Sequence, residues 1–275
     1  MSEPLELCER DFERFSRLVY QQAGINLHQG KKELLRARLA KRIRDLGYRS
    51  FAQYYRHVME DESGQEIVQM LDCIATNLTR FFREEAHFKF LEEVVYPEFR
   101  KALDTTGEPP VLRVWSSACS TGEEPYSIAM HAKSHLDQEV CVLATDISTR
   151  ALDLARKGIY PLERLTDVPP NMVKLHFLRG HGPREGWVRL KPQIRACVRF
   201  ARHNLLDPPP VEEQMHVVFC RNVLIYFDRA TQRRVIENVA RSLVKGGYLL
   251  VGHAESLNGC VPSLKYVKPA VYRKL

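Results

Sequence analysis

Two adjacent carboxylates, Glu123 and Glu124, follow directly on a run of small residues, Ser116-Ser117-Ala118-Cys119-Ser120-Thr121-Gly122, and Asp146 lies 24 residues beyond Gly122. A small-residue loop between a strand and a helix lets a ligand approach the backbone beyond the carboxyl end of the strand. The loop holds one glycine, so it is not the G-x-G-x-x-G of a dinucleotide site, and two glutamates would repel a pyrophosphate. They would attract an ammonium. Glu123 or Glu124 could hold the amino group of an amino-acid moiety, and S-adenosylmethionine carries one beside its positive sulfonium. Asp146 has the position from which an acid accepts hydrogen bonds from both ribose hydroxyls. Plainer roles compete: first-turn glutamates favour a helix N-terminus, and an Asp before Ile147-Ser148 can cap a helix.

The elements that must position these groups read as follows. Residues 7–22 and 31–47 have helical period, with Leu35, Leu39, Ile43 and Leu46 on one stripe and Arg38, Lys41, Arg42 and Arg44 on an exposed arc. Gly47 ends that helix, Ser50 caps the next at Phe51–Glu60, and a further helical pattern runs from Gly64 into Ala75. Residues 1–75 are therefore expected to form an all-α domain, and 76–110 a linker and interdomain helix ending in the polar turn 103–110. From 111 to 275 the pattern alternates between strands and helices, giving an α/β, Rossmann-like domain. Its strands are Val111–Trp115, Val140–Thr145, Phe200–Asn204, His216–Cys220 and Tyr248–Val251; Gly246-Gly247 stops the helix from Arg229, and a hairpin at 264–273 closes the sheet. Alternation over Trp187–Phe200 places a small antiparallel sheet, inserted at about 165–200.

At 275 residues the chain has room for two domains. No run approaches the about 18 apolar residues that span a bilayer, and the start Met-Ser-Glu-Pro is acidic, so a cytoplasmic protein without membrane insertion is expected. Seven cysteines, with no C-x-x-C, are expected to be reduced and mostly buried. The net charge of +7 collects in two stretches: Lys31–Arg49 has eight bases against Glu33 and Asp45, and Lys174–Arg202 has eight against Glu185. Neither is interleaved with the aromatics of a single-strand-binding surface.

One stretch stands apart: Thr76-Asn77-Leu78-Thr79-Arg80-Phe81-Phe82-Arg83. Its T-N-x-T-x-F-F-R pattern resembles the signature of CheR-type chemotaxis methyltransferases. So do W-S-S-A-C-S-T-G-E-E-P-Y-S at 115–127, A-T-D-I-S at 144–148, F-C-R-N-V-L-I-Y-F at 219–227 and G-H-A-E-S-L at 252–257. The resemblance implies a class I methyltransferase fold that binds S-adenosylmethionine and esterifies glutamate side chains on the cytoplasmic helices of chemoreceptors. Asn77, Thr79 and Arg83 would reach the methionine end of the cofactor, Glu123 or Glu124 its amino group, and Asp146 its ribose. Asn204, Leu205, Arg221 and Asn222 would line the adenine and sulfur side. Arg83 and Tyr226 would orient the incoming carboxylate, while Phe81 and Phe82 pack between domains and Arg80 stays solvated. The arc Arg38, Lys41, Arg42 and Arg44 would face acidic receptor helices. The family can also dock a receptor's C-terminal tether peptide on the inserted sheet, a use this sequence leaves open.

A glutamate is already an anion at neutral pH, so the chemistry asks for no catalytic His, no nucleophilic Cys and no metal. His131 and His135, four apart in H-A-K-S-H, lack the glutamate of a zinc protease and are expected to pack. Two rival readings remain. A nucleic-acid methyltransferase would suit the basic stretches, but Asp207-Pro208-Pro209-Pro210 lacks the aromatic that stacks on a target base. A receptor-binding adaptor without catalysis would not bind the cofactor. The sequence favours a monomeric enzyme with no nucleic-acid partner.

Overall fold

The computed structural model describes residues 5–106, 111–257 and 261–275. Four helices build the N-terminal domain: α1 (Glu9–Ala23), α2 (Lys32–Asp45), α3 (Phe51–Glu60) and α4 (Gln65–Ile74). Ser50 caps α3 by accepting from the Gln53 amide at 3.2 Å. Phe15, Leu35, Leu39, Ile43, Phe51 and Tyr54 meet in one core. Leu46 does not join them and is 40% exposed, because α2 ends at Asp45 and Gly47 turns the chain with φ 78°.

The expected arc of free bases breaks at Arg42. Its guanidinium grips both oxygens of Glu66, and the Tyr54 hydroxyl donates to the same carboxylate at 2.7 Å. Glu66 is buried, and a carboxylate out of water needs such partners. Spacing along α2 cannot reveal that α4 supplies it. Arg38 is also drawn inward, donating to the Ala75 carbonyl at 3.3 Å. Only Lys41 and Arg44 of the four stay fully exposed.

After Ala75 the chain crosses to the second domain without regular structure, then enters α5 (Glu85–Phe90), a π-helical stretch Leu91–Val95, and α6 (Tyr96–Thr106). Helix thus continues through 103–106, where a polar turn was expected; 107–110 lie outside the described residues. The rest of the order is β1 (Leu112–Ser116), α7 (Glu123–His135), β2 (Val140–Asp146), α8 (Thr149–Lys157), β3 (Ile159–Pro161), α9 (Pro170–His176), β4 (Phe177–Arg179), β5 (Trp187–Leu190), α10 (Pro192–Ala196), β6 (Val198–Arg202), β7 (Met215–Cys220), α11 (Arg229–Arg241), β8 (Leu243–Val251), β9 (Leu264–Lys268) and β10 (Val271–Lys274).

The main sheet has the order β6-β2-β1-β7-β8-β10-β9, parallel from β6 to β8 and antiparallel at β10 and β9. Its central strands are apolar on both faces because both are covered. Val217 and Phe219 pack with Phe88, Phe90 and Ile128, while Val218 and Cys220 pack with Val235, Ile236 and Val239 of α11.

Two expectations need correcting. The small sheet is β3-β5-β4, spanning 159–190, and not 165–200. The alternation at Ile194 and Cys197 belongs to α10 and its C-cap, and Val198 opens a parallel strand of the main sheet; a short helix between two strands mimics period two. Gly246-Gly247 lies inside β8, not at the end of α11. There the pairing with β7 jumps from Met215 opposite Leu243 to Val217 opposite Tyr248, a bulge that Gly246 accommodates with φ 79°. Among the described cysteines, Cys119 and Cys220 are buried but Cys8 and Cys141 are exposed; Cys260 lies outside the described residues.

The Glu66 carboxyl is pulled up by burial, but the bonds from Arg42 and Tyr54 outweigh this and leave its pKa lowered. A lowered carboxyl stabilises the fold above its unfolded value and loses that contribution as pH falls through the folded value. Arg42→Ala should therefore cost about 2 kcal/mol in urea unfolding at neutral pH. That difference should shrink below the ordinary glutamate range of about 4.3.

Candidate active site

A cleft of about 490 Å³ opens beyond the carboxyl ends of β1 and β7, where the strand order reverses. Ser117, Ala118, Ser120 and Glu124 line it from the loop after β1, Asp146 and Ile147 from the end of β2, and Asn204 and Leu205 from the loop after β6. Arg221, Asn222 and Tyr226 come from the segment after β7, and Asn77, Thr79 and Arg83 from the interdomain segment. The α1–α2 loop adds Ile25, Leu27, His28 and Lys31, which the sequence did not bring here because they belong to the helical domain.

The loop after β1 needs Gly122 as it stands. Its φ is 97°, and a Cβ would meet the Ala155 Cβ and the Tyr160 hydroxyl at 2.8 Å each. The turn it makes separates the two glutamates. Glu123 is 1% exposed and accepts from the Thr121 hydroxyl at 2.6 Å, with Arg164 at 3.6 Å, and does not line the cleft. Glu124 does, accepting from the Ser116 hydroxyl at 2.7 Å and from Arg221 at 3.1 Å.

Asp146 combines its two readings. Oδ1 accepts the Ser148 amide at 2.9 Å, which steadies the start of α8, and Oδ2 accepts the Ser120 amide at 2.8 Å. Each oxygen has a further lone pair for a ligand. Asn204 is less free than expected: its amide donates to the Gln22 carbonyl at 2.7 Å and its oxygen takes the Leu206 amide at 3.1 Å. It clips the domains together while lining the cleft.

Arg221 is 4% exposed and bonds Glu124, the Arg83 carbonyl and, at 3.2 Å, Glu84. Its neighbour Asn222 has φ 55° and donates to Glu84 at 3.3 Å. The turn 222–226 is fixed from the G-H-A-E-S-L segment at 252–257. The buried Glu255 carboxylate accepts four amides: Gly252 at 2.7 Å, Asn222 and Leu224 at 2.8 Å, and Ile225 at 3.3 Å. Phe81 is buried edge-on against Tyr160 and Phe177 of the small sheet's region, and Arg80 pairs with Asp167 at the surface. His131 packs as expected, its Nδ1 against the Tyr96 hydroxyl at 2.9 Å.

The chain matches two family models end to end: CheR methyltransferase, all-alpha domain, over residues 10–75, and CheR methyltransferase, SAM binding domain, over residues 77–272. The chain belongs to the CheR methyltransferase family. It is 38% identical over 266 residues to chemotaxis protein methyltransferase 2 of Pseudomonas aeruginosa, covering 95% of this chain and 92% of that one. The chemotaxis protein methyltransferase of Escherichia coli is 39% identical over 262 residues, covering 94% and 88%. That of Borreliella burgdorferi is 34% identical over 276 residues, covering 98% and 96%. This is therefore a chemotaxis methyltransferase that uses S-adenosylmethionine, on a class I α/β fold with an all-α N-terminal domain. Among the described residues no helix is long and apolar enough to cross a membrane.

The cleft suits that cofactor on its own chemistry. Burial pushes the Glu124 carboxyl up, with Arg221 and the Ser116 bond opposing, and burial likewise pushes Asp146 up against its amide bonds. Both anions would gain from a cation brought into the cleft. Cofactor affinity should therefore fall on acidification, beginning above the ordinary carboxyl range of about 4.3, as protons compete for these carboxylates. Glu124→Gln should weaken binding about tenfold or more at neutral pH and flatten that dependence, as read by calorimetric titration.

Proposed function

We propose that this methyltransferase esterifies glutamate side chains on the cytoplasmic helices of chemoreceptors, acting as a cytoplasmic monomer. The observation that carries the reading is the gathering of Glu124, Asp146, Arg83 and Tyr226 around one cleft. Glu124 would hold the cofactor's amino group and Asp146 its ribose, with Leu205 and Ile147 covering the adenine side. Asn77 and Thr79 would close over the methionine end. Bound there, S-adenosylmethionine supplies an electrophilic methyl on a sulfonium.

The chain's own residues then have little proton work. A glutamate with a reference pKa of about 4.3 arrives as the nucleophile, so the enzyme must orient it and exclude water. Arg83 can orient a carboxylate without protonating it; its guanidinium is steadied by the Leu78 carbonyl at 3.1 Å. Tyr226 offers a hydroxyl from the opposite segment, its backbone carbonyl taking the Asn26 amide at 2.8 Å. Ile25 and Leu27 give the cleft an apolar cover.

For receptor helices, Lys41 and Arg44 provide the exposed charge on α2, while Arg38 and Arg42 brace the helix behind them. The small sheet exposes Leu178 and Trp187, 50% and 48%, which suits docking of a receptor tether peptide.

Asp146→Ala should weaken cofactor binding about 30-fold or more, since it removes two charge-assisted hydrogen bonds. Wild type should place alkali-labile methyl groups on glutamates of receptor cytoplasmic fragments, and Tyr226→Phe should lower kcat more than it changes cofactor affinity. Wild type that binds no cofactor would leave only the adaptor reading. Label on RNA, with binding steeply dependent on salt, would favour the nucleic-acid reading.

A further inference from the structure

We propose that Glu84, His87 and His253 form a site for a zinc-class divalent cation beside the cleft, and that filling it weakens cofactor binding. His87, on α5, is 1% exposed, and neither of its ring nitrogens has a hydrogen-bond partner among the described residues. Glu84 Oε2 is buried and equally without a hydrogen bond, its nearest cation being Arg221 at 3.2 Å. Buried polar atoms are ordinarily satisfied, so unsatisfied ones that converge call for a bound species.

The spacing fits an ion. His87 Nδ1 lies 3.4 Å from Glu84 Oε2, His253 Nε2 lies 3.9 Å from the same oxygen, and the three ligand atoms are all within 4.8 Å of one another. Bonds of about 2.0–2.1 Å in a tetrahedral site separate ligands by about 3.4 Å. One edge of the site is already made. His253, half exposed in the loop after β8, completes the others by a swing of about 1 Å, and its ring stands at 69° to His87 with centroids 5.0 Å apart. Two imidazoles and one carboxylate suit zinc, cobalt or nickel over magnesium or calcium. The exposed side of His253 leaves the fourth position to water.

Glu84 is shared with the cleft. It pairs with Arg221 and takes the Asn222 amide, and Arg221 in turn holds Glu124. Glu84 and Glu124 bring two negative charges to one guanidinium, with Arg83 also acting on Glu124. A metal at Glu84 and an ammonium at Glu124 would draw on those same charges, so each opposes the other. This antagonism rests on the reading of Glu124 given above, whereas the ion site does not. By linkage each ligand weakens the other by one common factor, on the order of tenfold.

Cobalt(II) and zinc titrated into the full chain should give one ion per molecule, with the d–d absorption of a low-coordinate cobalt site. His253→Ala should weaken this at least about tenfold. His135→Ala, in the separate Glu92–His131–His135 group, should leave it unchanged. Saturating zinc should lower S-adenosylhomocysteine affinity about tenfold in wild type and not in His253→Ala. Zinc-free methyl transfer by His253→Ala should persist, so the ion site can fail without touching the methyltransferase reading. Absence of the cobalt band, or wild-type metal affinity in His253→Ala, would overturn the site, and cofactor affinity indifferent to zinc would overturn the antagonism.

Discussion

The buried guanidinium of Arg221 is the constraint on which the cleft depends. It reaches two carboxylates from different elements, Glu84 at the start of α5 and Glu124 in the first turn of α7, and the carbonyl of Arg83. A charge taken out of water this far is tolerated only when it is paired and hydrogen-bonded. Satisfying Arg221 therefore ties the interdomain segment, through Glu84 and the Arg83 carbonyl, to the sheet end. Replacing it would strand Glu84 and Glu124 as like charges beside one another.

That pinning has a conformational cost which the surrounding contacts hold in place. Phe82, Glu84 and Asn222 take φ values of 50°, 61° and 55°, a region that side chains disfavour. Phe82 is held by its amide bond to the Ser127 hydroxyl at 3.0 Å, and Asn222 by Glu255. Gly252 must be glycine for the same reason: a Cβ there would lie 2.7 Å from Glu255 Oε2 and 2.6 Å from Asn222 Nδ2. The helical domain is fastened to the same edge. Tyr20 bonds Asp228 at 2.8 Å, Ile25 bridges Phe227, and Asp72 accepts from Thr149. Roof and floor of the cleft are thus one hydrogen-bonded unit rather than two domains meeting by chance.

What the sequence made legible follows strand ends. Asp146 and the loop after β1 were placed by period and spacing alone, since a doubly wound sheet has only one edge where ligands bind. Choosing between Glu123 and Glu124 was not possible that way: adjacent helical residues point about 100° apart, and the rotation was set by Gly122 packing on Ala155. Glu255 stands in the 252–257 motif, but its four accepted amides depend on a turn whose shape it creates. Arg42 misled for the opposite reason. Its position on α2 reads as solvent-facing until α4 brings Glu66 beneath it.

Arg42 also shows how a net charge of +7 divides between architecture and surface. Two of the cations expected on the exposed arc, Arg38 and Arg42, are spent inside the molecule on a carbonyl and a buried carboxylate, as Arg221 is on Glu84 and Glu124. The carboxylates they neutralise no longer offset the bases left outside, so the outer surface of α2 keeps its positive sign through Lys41 and Arg44. Glu124 and Asp146 line the cleft together with Lys31, Arg83 and Arg221, and burial pushes both carboxyls up. Those two buried carboxylates would each gain from a cation brought into the cleft, which is the charge a sulfonium and an ammonium carry.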